Sequence, residues 1–526
     1  MDSTADYDVI ILGGAFSGAA SGILLRRWMP NARVLIVEKL PAFSRKVGEA
    51  TVEISSYFLH KVLGLYDHLS REHLPKHGLR YWYHDHPERD LHRMAEVGPD
   101  EIPLLPAFQL DRARMDEHLL ATAVAEGCAL LRPARVTAVE PGWPLNTVQV
   151  ETADGARALT ARWLIDATGR RALLAKQLGV HQRVDRHPTA ALWGRFSGVT
   201  DLDGVDVIGR DPRAPRLPDI KAARRLATNH FCGYGYWCWA IPLAPGETSV
   251  GVVYHKELLE LPDAPTAAER FERFVRSEPG LRELLAHAEL DRDDFLTYGH
   301  LPYRATRYAD RGWALVGDAA SFIDPYYSPG LDHASMSIYA TCRLIEDELT
   351  GRLDDAALGA RLDTHNGQFH RSYDRWIEAL YLGKYEYIGD AELGGAAALW
   401  DTGMYYMGVV SPVYRDIEAL ANPAFGPDVF GAKAAWWLMR FINRRLVHLA
   451  RFRRATGNYG ARNTDWRVLV RSPGLERAAA PFIRQAAGIW LQVEREYWWT
   501  RLRRGLWRMP LREPVPKAPA ARSAAK

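Results

Sequence analysis

Cysteine is scarce in this chain: four residues in 526, at Cys128, Cys232, Cys238 and Cys342. None has the CxxC spacing of a zinc site, and four thiols in so long a chain do not make a disulfide framework. That usage fits a reducing compartment. A dominant charge is missing too. Lys and Arg number 67 against 64 Asp and Glu, a formal net charge of +3. Charge by itself therefore points to no nucleic acid or other polyanionic partner. Long apolar runs are absent apart from residues 9–25, VIILGGAFSGAASGILL, which carry no charge. Glycines interrupt that run and the residues before it are acidic rather than basic, so no export signal is expected there. No other stretch is long and apolar enough to span a bilayer. The expectation is a cytoplasmic protein with no membrane role.

What is present is ordinary for a globular protein, with 47% hydrophobic and 25% charged residues. The length exceeds what one core usually serves. Tryptophan is plentiful at 17, so aromatic packing or aromatic-walled pockets should be prominent.

Asp8–Leu12 is a short apolar run ending in glycines, Ala19–Trp28 has helical periodicity, and Arg33–Val37 is again β-branched and closes on Glu38. Strand, glycine turn, helix and strand in about 30 residues make a βαβ unit. Similar apolar runs, Arg162–Ala167 and Trp313–Val316, lead into Ala167-Thr168-Gly169 and Gly317-Asp318. Tyr236–Ile241 and Thr248–Tyr254 have strand character. Helical patterns follow Leu331 and dominate from about Asp363 to Trp507. The proline-rich tail from Pro510 reads as disordered. There is no internal repeat.

Gly13-Gly14-Ala15-Phe16-Ser17-Gly18 stands where a dinucleotide fingerprint belongs. Glycines permit the tight turn and let the backbone approach a pyrophosphate, which the helix N-terminus then attracts. Glu38 ends the next strand, where a carboxylate accepts bonds from ribose hydroxyls. Ala15 replaces the second glycine and is tolerable only at a negative φ. Gln109-Leu110-Asp111-Arg112 precedes a helix carrying Asp116, Leu119 and Leu120. Leu164–Gly169 is a strand with a glycine turn, and Val316-Gly317-Asp318-Ala319-Ala320 sets a carboxylate at a strand end.

In order and spacing these segments resemble the FAD-dependent monooxygenase and halogenase superfamily over residues 6–345. The resemblance implies FAD contacts at Gly13, Gly14, Ala15, Ser17, Gly18 and Glu38, with Lys39, Arg45, Gln109 and Arg112. It also implies Asp318 on the ribityl chain. The fold class so implied is α/β, α+β overall. A Rossmann-like FAD-binding domain with an inserted β-sheet substrate region covers 1–350. A mostly helical, substrate-covering region covers 351–509, and a disordered tail 510–526. No second glycine fingerprint follows another strand–helix unit, so reduced flavin would come from a separate flavin reductase.

Two further patterns narrow the chemistry. Trp237-Cys238-Trp239-Ala240-Ile241-Pro242 matches the W-x-W-x-I-P signature of flavin-dependent halogenases. On a strand Trp237 and Trp239 share one face, so with Ile241 and Pro242 they are expected to wall the substrate cavity. Gly48-Glu49-Ala50-Thr51 is followed by Lys76-His77-Gly78-Leu79-Arg80-Tyr81-Trp82, in which Lys76 matches the family's active-site lysine. In that family FADH2, O2 and chloride or bromide yield hypohalous acid. Such a lysine hydrogen-bonds the acid as ammonium or reacts with it as amine, and burial favours the neutral form. Lys46 is its nearest rival and reads as part of a strap between flavin and substrate regions.

The family's halide loop departs from pattern here as Asp324-Pro325-Tyr326-Tyr327-Ser328-Pro329-Gly330-Leu331. Pro329 has no N–H to offer, which leaves the Gly330 and Leu331 amides for halide. Tyr327, beside Ser328 at the tunnel, replaces the glutamate of relatives that act on tryptophan. A phenol, activated by its own oxygen, dispenses with that carboxylate. The expected substrate is thus a small electron-rich aromatic, phenolic or pyrrole-like, free or carrier-tethered. The alternatives are a monooxygenase that uses no halide and a non-catalytic flavin or carrier-docking protein.

Aromatics at helical spacing between 370 and 508, Trp376, Tyr381, Trp436, Trp437, Trp490, Trp498, Trp499 and Trp507 among them, read individually as core. Arg501, Arg503, Arg504 and Arg508 end a helix Gln485–Trp507 that is expected to pack on the body with its arginines solvated. No metal site is expected.

Overall fold

The computed structural model of the protein describes residues 5–204, 207, 221–471 and 479–503. The first strand, Tyr7–Leu12, is buried from Asp8 onward and lies between Val34–Val37 and Gly155–Asp166, parallel to both. Trp313–Leu315 adds in parallel beyond Gly155–Asp166, and Ala129–Leu131 beyond Val34–Val37. Apolar β-branched runs suit this sheet because both of its faces are covered. Helices Phe16–Trp28, Arg112–Ala125 and Gly330–Leu349 pack together beside it. The side chain of Asp111 caps the second of these, accepting from the Ala113 and Arg114 amides. The parallel strands therefore open on one edge, at Leu12, Val37, Asp166 and Leu315, the edge where such sheets bind ligands.

A second, nine-stranded sheet carries the rest of the site. Its central order is Thr189–Ser197, Glu247–His255, Tyr236–Leu243, Thr228–Gly233, Leu79–Tyr83, Ala95–Pro99 and Arg467–Val470. Two contacts are parallel, Thr228–Gly233 on Leu79–Tyr83 and Arg467–Val470 on Ala95–Pro99. The register aligns Trp239, His230, Tyr81, Val97 and Val468 in one row on one face. Side chains alternate across a strand, so the neighbouring row, with Trp82 and Phe231, faces the opposite way into a core with Phe271 and Leu281.

On that opposite face Glu96 is wholly buried among three arginines. Arg80 pairs with it directly, Arg224 at 2.8 Å and Arg467 at 3.0 Å. Burial pushes its pKa up, but the three guanidiniums outweigh burial and hold the carboxyl well below its usual range. Removing one partner of a buried ion cluster leaves uncompensated charge. Glu96→Gln is expected to cost about 3–5 kcal/mol, read as a lowered midpoint in urea denaturation.

The C-terminal region is built from helices Asp355–Trp376, Ala391–Tyr405, Phe430–Thr456 and Ala479–Arg503. The helical stretch expected from Asp363 to Trp507 is interrupted by strand Arg467–Val470. Three apolar residues after Arg467, too few to carry a period, become a strand by pairing with Ala95–Pro99. Trp376 and Tyr381 are buried as expected, but Trp437, Trp498 and Trp499 are more than half exposed. Arg501 is not solvated either: it is buried and donates to Tyr497. Arg504, Trp507, Arg508 and the tail from Pro510 lie outside the described residues. The four cysteines are free and buried. Among the described residues no helix is long and apolar enough to cross a membrane, and no cluster of side chains is set to hold a metal.

Candidate active site

The glycine turn is built as its sequence requires. Gly13 adopts φ +100°, and a Cβ there would stand 2.7 Å from the Ala167 oxygen. Ala15 keeps a negative φ of −74°, so its methyl is accommodated. Glu38 closes the turn from the second strand, accepting the Gly14 amide at 2.8 Å and the Leu40 amide at 2.8 Å. Gly14 and Gly18 shape the turn rather than facing the cavity beyond it.

That cavity is a cleft of about 520 Å³ on the open edge of the parallel sheet. Gly13, Ala15, Ser17, Glu38, Lys39, Arg112 and Asp318 line it. So do Lys46, Arg170 and Arg171, which with Lys39 and Arg112 make five cations against the three carboxylates Glu38, Glu49 and Asp318. The arrangement fits FAD: a glycine cradle without room for a Cβ, a helix N-terminus and surplus positive charge suit the pyrophosphate. Lys46 is anchored by Asp116 at 2.5 Å, and Arg112 pairs with the same carboxylate. Two expected contacts lie elsewhere. Arg45 turns outward to Glu247 and Asp291. Gln109 is buried with its amide on Thr228 and the Leu226 carbonyl.

The tryptophans are a second correction. Trp237, Trp239 and Ile241 line this cleft and not the chamber that holds Lys76, and Pro242 lines neither. The pleat does put both indoles on one face, but that face carries two chambers side by side. Trp237 donates to Tyr385 and Trp239 to Ser249, which fixes the indoles as the cleft's inner wall.

The second chamber, about 160 Å³, sits farther along the same sheet face, over Leu79, Tyr81, Val97 and Val470. It is apolar over most of its wall. Lys76 lines it, 3% exposed, and donates to the Thr51 carbonyl at 2.7 Å. Burial lowers the lysine to about 8, against the pull of Glu53 and Asp332. The divide between chambers falls where His230 stacks on Tyr81, ring centroids 4.8 Å apart. His230 Nδ1 faces the Arg80 carbonyl, which can only accept. Nε2 is therefore a bare acceptor, buried and without a partner among the described residues. Burial, and then the charge on Lys76, lower this histidine to about 3, so it stays neutral.

Residues 326–331 complete the partition. Ser328, Gly330 and Leu331 line the cleft, whereas Tyr327 and Pro329 line the Lys76 chamber. Tyr327 and Ser328 both adopt left-handed backbone, φ +77° and +58°, at a cost of order 1–3 kcal/mol each. Asp324 holds the loop by accepting the Tyr326 amide. Helix Gly330–Leu349 starts just after Pro329, so the Gly330 and Leu331 amides belong to its unsatisfied first turn.

Two carboxylates of the second chamber, Asp332 and Asp401, and a lysine beside one of them, Lys384, carry no signal in the sequence. Asp332 accepts from the Ser55 amide and the Tyr405 hydroxyl, and burial raises it to about 7 against those bonds. Asp401 lies near the end of helix Ala391–Tyr405, and Lys384 is wholly buried beside it. No local motif marks them; only the packing of the C-terminal helices brings Asp401 and Lys384 to Tyr327.

The fold and cleft define an FAD-binding protein: residues 6–208 match the family described as FAD binding domain. The chain is 27% identical over 385 residues to the flavin-dependent halogenase chlA of Dictyostelium discoideum, across 66% of this chain and 61% of that protein. It is 27% identical over 378 residues to the tetracycline 7-halogenase of Kitasatospora aureofaciens, across 65% and 64%. The chain thus matches less than two thirds of the length of either relative. The crystal structure of halogenase PltM in complex with phloroglucinol and FAD shares the fold, with a TM-score of 0.68 at 19% identity, over 92% of this chain and 96% of that one. Over about two thirds of its length the chain is thus similar to flavin-dependent halogenases.

Proposed function

We propose that the protein halogenates a small phenol, using FADH2, O2 and chloride or bromide. One observation carries this reading: a buried lysine opens onto an apolar chamber that a loop and a ring stack separate from the FAD cleft. Bound reduced FAD, with O2 and halide, supplies hypohalous acid. The remaining work falls to the chain. Gly13, Ala15, Ser17 and the helix they open would hold the pyrophosphate, Glu38 and Lys39 the adenosine end, and Arg112 and Asp318 the flavin side. The Gly330 and Leu331 amides would hold the halide, since Pro329 cannot. Trp237 and Trp239 would keep the organic substrate off the flavin. Lys76, as ammonium, would receive hypohalous acid and aim it at the ring. Reduced flavin would come from a separate reductase, and a phenol free or tethered would fit the same chemistry.

The test is turnover of the FAD-loaded protein with a flavin reductase, halide and a panel of phenols, read by mass spectrometry. Halogenated product is expected. An oxygenated product formed equally well without halide would select a monooxygenase instead.

The lysine's protonation gives a second check. Its pKa is depressed to about 8, so the ammonium dominates below that pH and is lost above it. Halogenation at saturating phenol is expected to fall tenfold per pH unit above about 8. A rise over the same interval would assign the step to the neutral amine.

A further inference from the structure

Asp401 Oδ2 accepts from the Tyr327 hydroxyl at 2.9 Å and from Lys384 at 2.8 Å, and Lys384 also donates to the Tyr327 oxygen at 3.0 Å. Lys384 is wholly buried, so it both balances and orients the carboxylate. Oδ1 has no hydrogen-bond partner among the described residues, and Asp401 lines the chamber of Lys76. The other carboxylates there are committed differently. Asp332 has both oxygens taken, by the Ser55 amide and the Tyr405 hydroxyl. Glu53 accepts from Tyr406 and acts on the charge of Lys76. The chamber's 160 Å³ is close to the roughly 150 Å³ of an engineered apolar cavity that takes up benzene. It has room for one ring. A fixed carboxylate with a spare oxygen, in an otherwise apolar space for one ring, calls for an aromatic that carries an O–H donor.

We propose that Asp401 is the general base for a single-ring phenol bound in this chamber, held in position by Lys384 and Tyr327. The assignment rests on the halogenase reading above. The phenol O–H proton passes to Asp401 as a ring carbon ortho or para to it forms its bond to X of HO–X. The X–O bond breaks with its electron pair on oxygen, which takes a proton from the Lys76 ammonium and leaves as water. The ring carbon then releases its own proton to the Lys76 amine, and Asp401 returns its proton to the phenol oxygen. In sum, ArOH and HOX become X–ArOH and water, with both residues restored.

The experiment compares wild type and Asp401→Asn, FAD-loaded, on phenols of graded acidity and on their O-methyl ethers. General-base contributions run to about 10²–10⁴-fold. The variant should lose about 100-fold in kcat/KM on weakly acidic phenols and progressively less as the phenol grows more acidic. On the methyl ethers it should lose nothing. Because the ratio is internal to each preparation, partial misfolding cancels from it. Binding of 4-nitrophenol, followed by absorbance, gives a readout independent of turnover. Wild type should prefer the neutral phenol, its affinity falling about tenfold per pH unit above the ligand's own ionisation, and Asp401→Asn should lose that preference. An equal penalty on phenols and ethers, no penalty at all, or the same pattern in Glu53→Gln instead would each overturn the assignment. If wild type yields no halogenated product but keeps the Asp401-dependent binding preference, the halogenase reading fails and the phenol site stands.

Discussion

Replacing Lys76 by methionine is expected to lower halogenated product by about 10³-fold while leaving FAD bound and reoxidised by oxygen at the wild-type rate. The side chain is a cationic donor in a chamber whose walls are mostly apolar, and it is anchored by the Thr51 carbonyl. Methionine keeps the volume and removes the donor. A positioned proton donor contributes about 10²–10⁴-fold, and in the proposed reaction the same group would also retain a reagent that otherwise diffuses away. Hypohalous acid should therefore escape, and an added chemical trap should collect it in the amount the phenol no longer consumes. The FAD spectrum and oxygen uptake show whether the flavin half is untouched. Unchanged product yield would take Lys76 out of the chemistry, whatever the cleft does.

Gly18→Ala should abolish FAD binding, whereas Ala15→Gly should change it by less than about threefold. A Cβ on Gly18 would stand 1.8 Å from the Gly13 oxygen and 2.9 Å from its carbonyl carbon. Both are backbone atoms of the turn itself, and Gly13 is already at φ +100°. The turn must move by more than an ångström, which carries the helix N-terminus off the pyrophosphate. A loss of at least about 100-fold in affinity, about 2.8 kcal/mol, is expected, read by titrating the apoprotein with FAD and following flavin fluorescence. Ala15 already has the extended backbone that any residue adopts, so restoring glycine there gains little.

The nucleotide-binding half was legible because its strands are apolar runs buried on both faces and its glycines answer to backbone geometry that a local window reveals. Lys76 was legible only through the resemblance its flanking residues carry. The indoles show where local reasoning stops. Period-2 alternation places Trp237 and Trp239 on a common side, yet it cannot say that this side holds two chambers or which one they wall. Arg45 and Gln109 fail for a related reason: their backbones lie near the cleft, but Glu247, Asp291 and Thr228, all remote in sequence, claim the side chains. Asp401 and Lys384 lie in ordinary helical text where a charged residue usually faces solvent. Their meeting with Tyr327 is a product of tertiary packing over 57 residues for Lys384 and 74 for Asp401. Strand Arg467–Val470 has no local signature because its partner is 371 residues upstream.

The two chambers share a floor but not a roof. Helix Ala391–Tyr405 and the residues after it reach over the lysine side through Ala398, Thr402, Tyr406 and Val409, and none of these borders the cleft. A lineage, or a laboratory library, can therefore rewrite that ceiling to admit new rings while the flavin-binding half goes on untouched. Such a division lets substrate range drift quickly under selection without rebuilding the cofactor machinery each time.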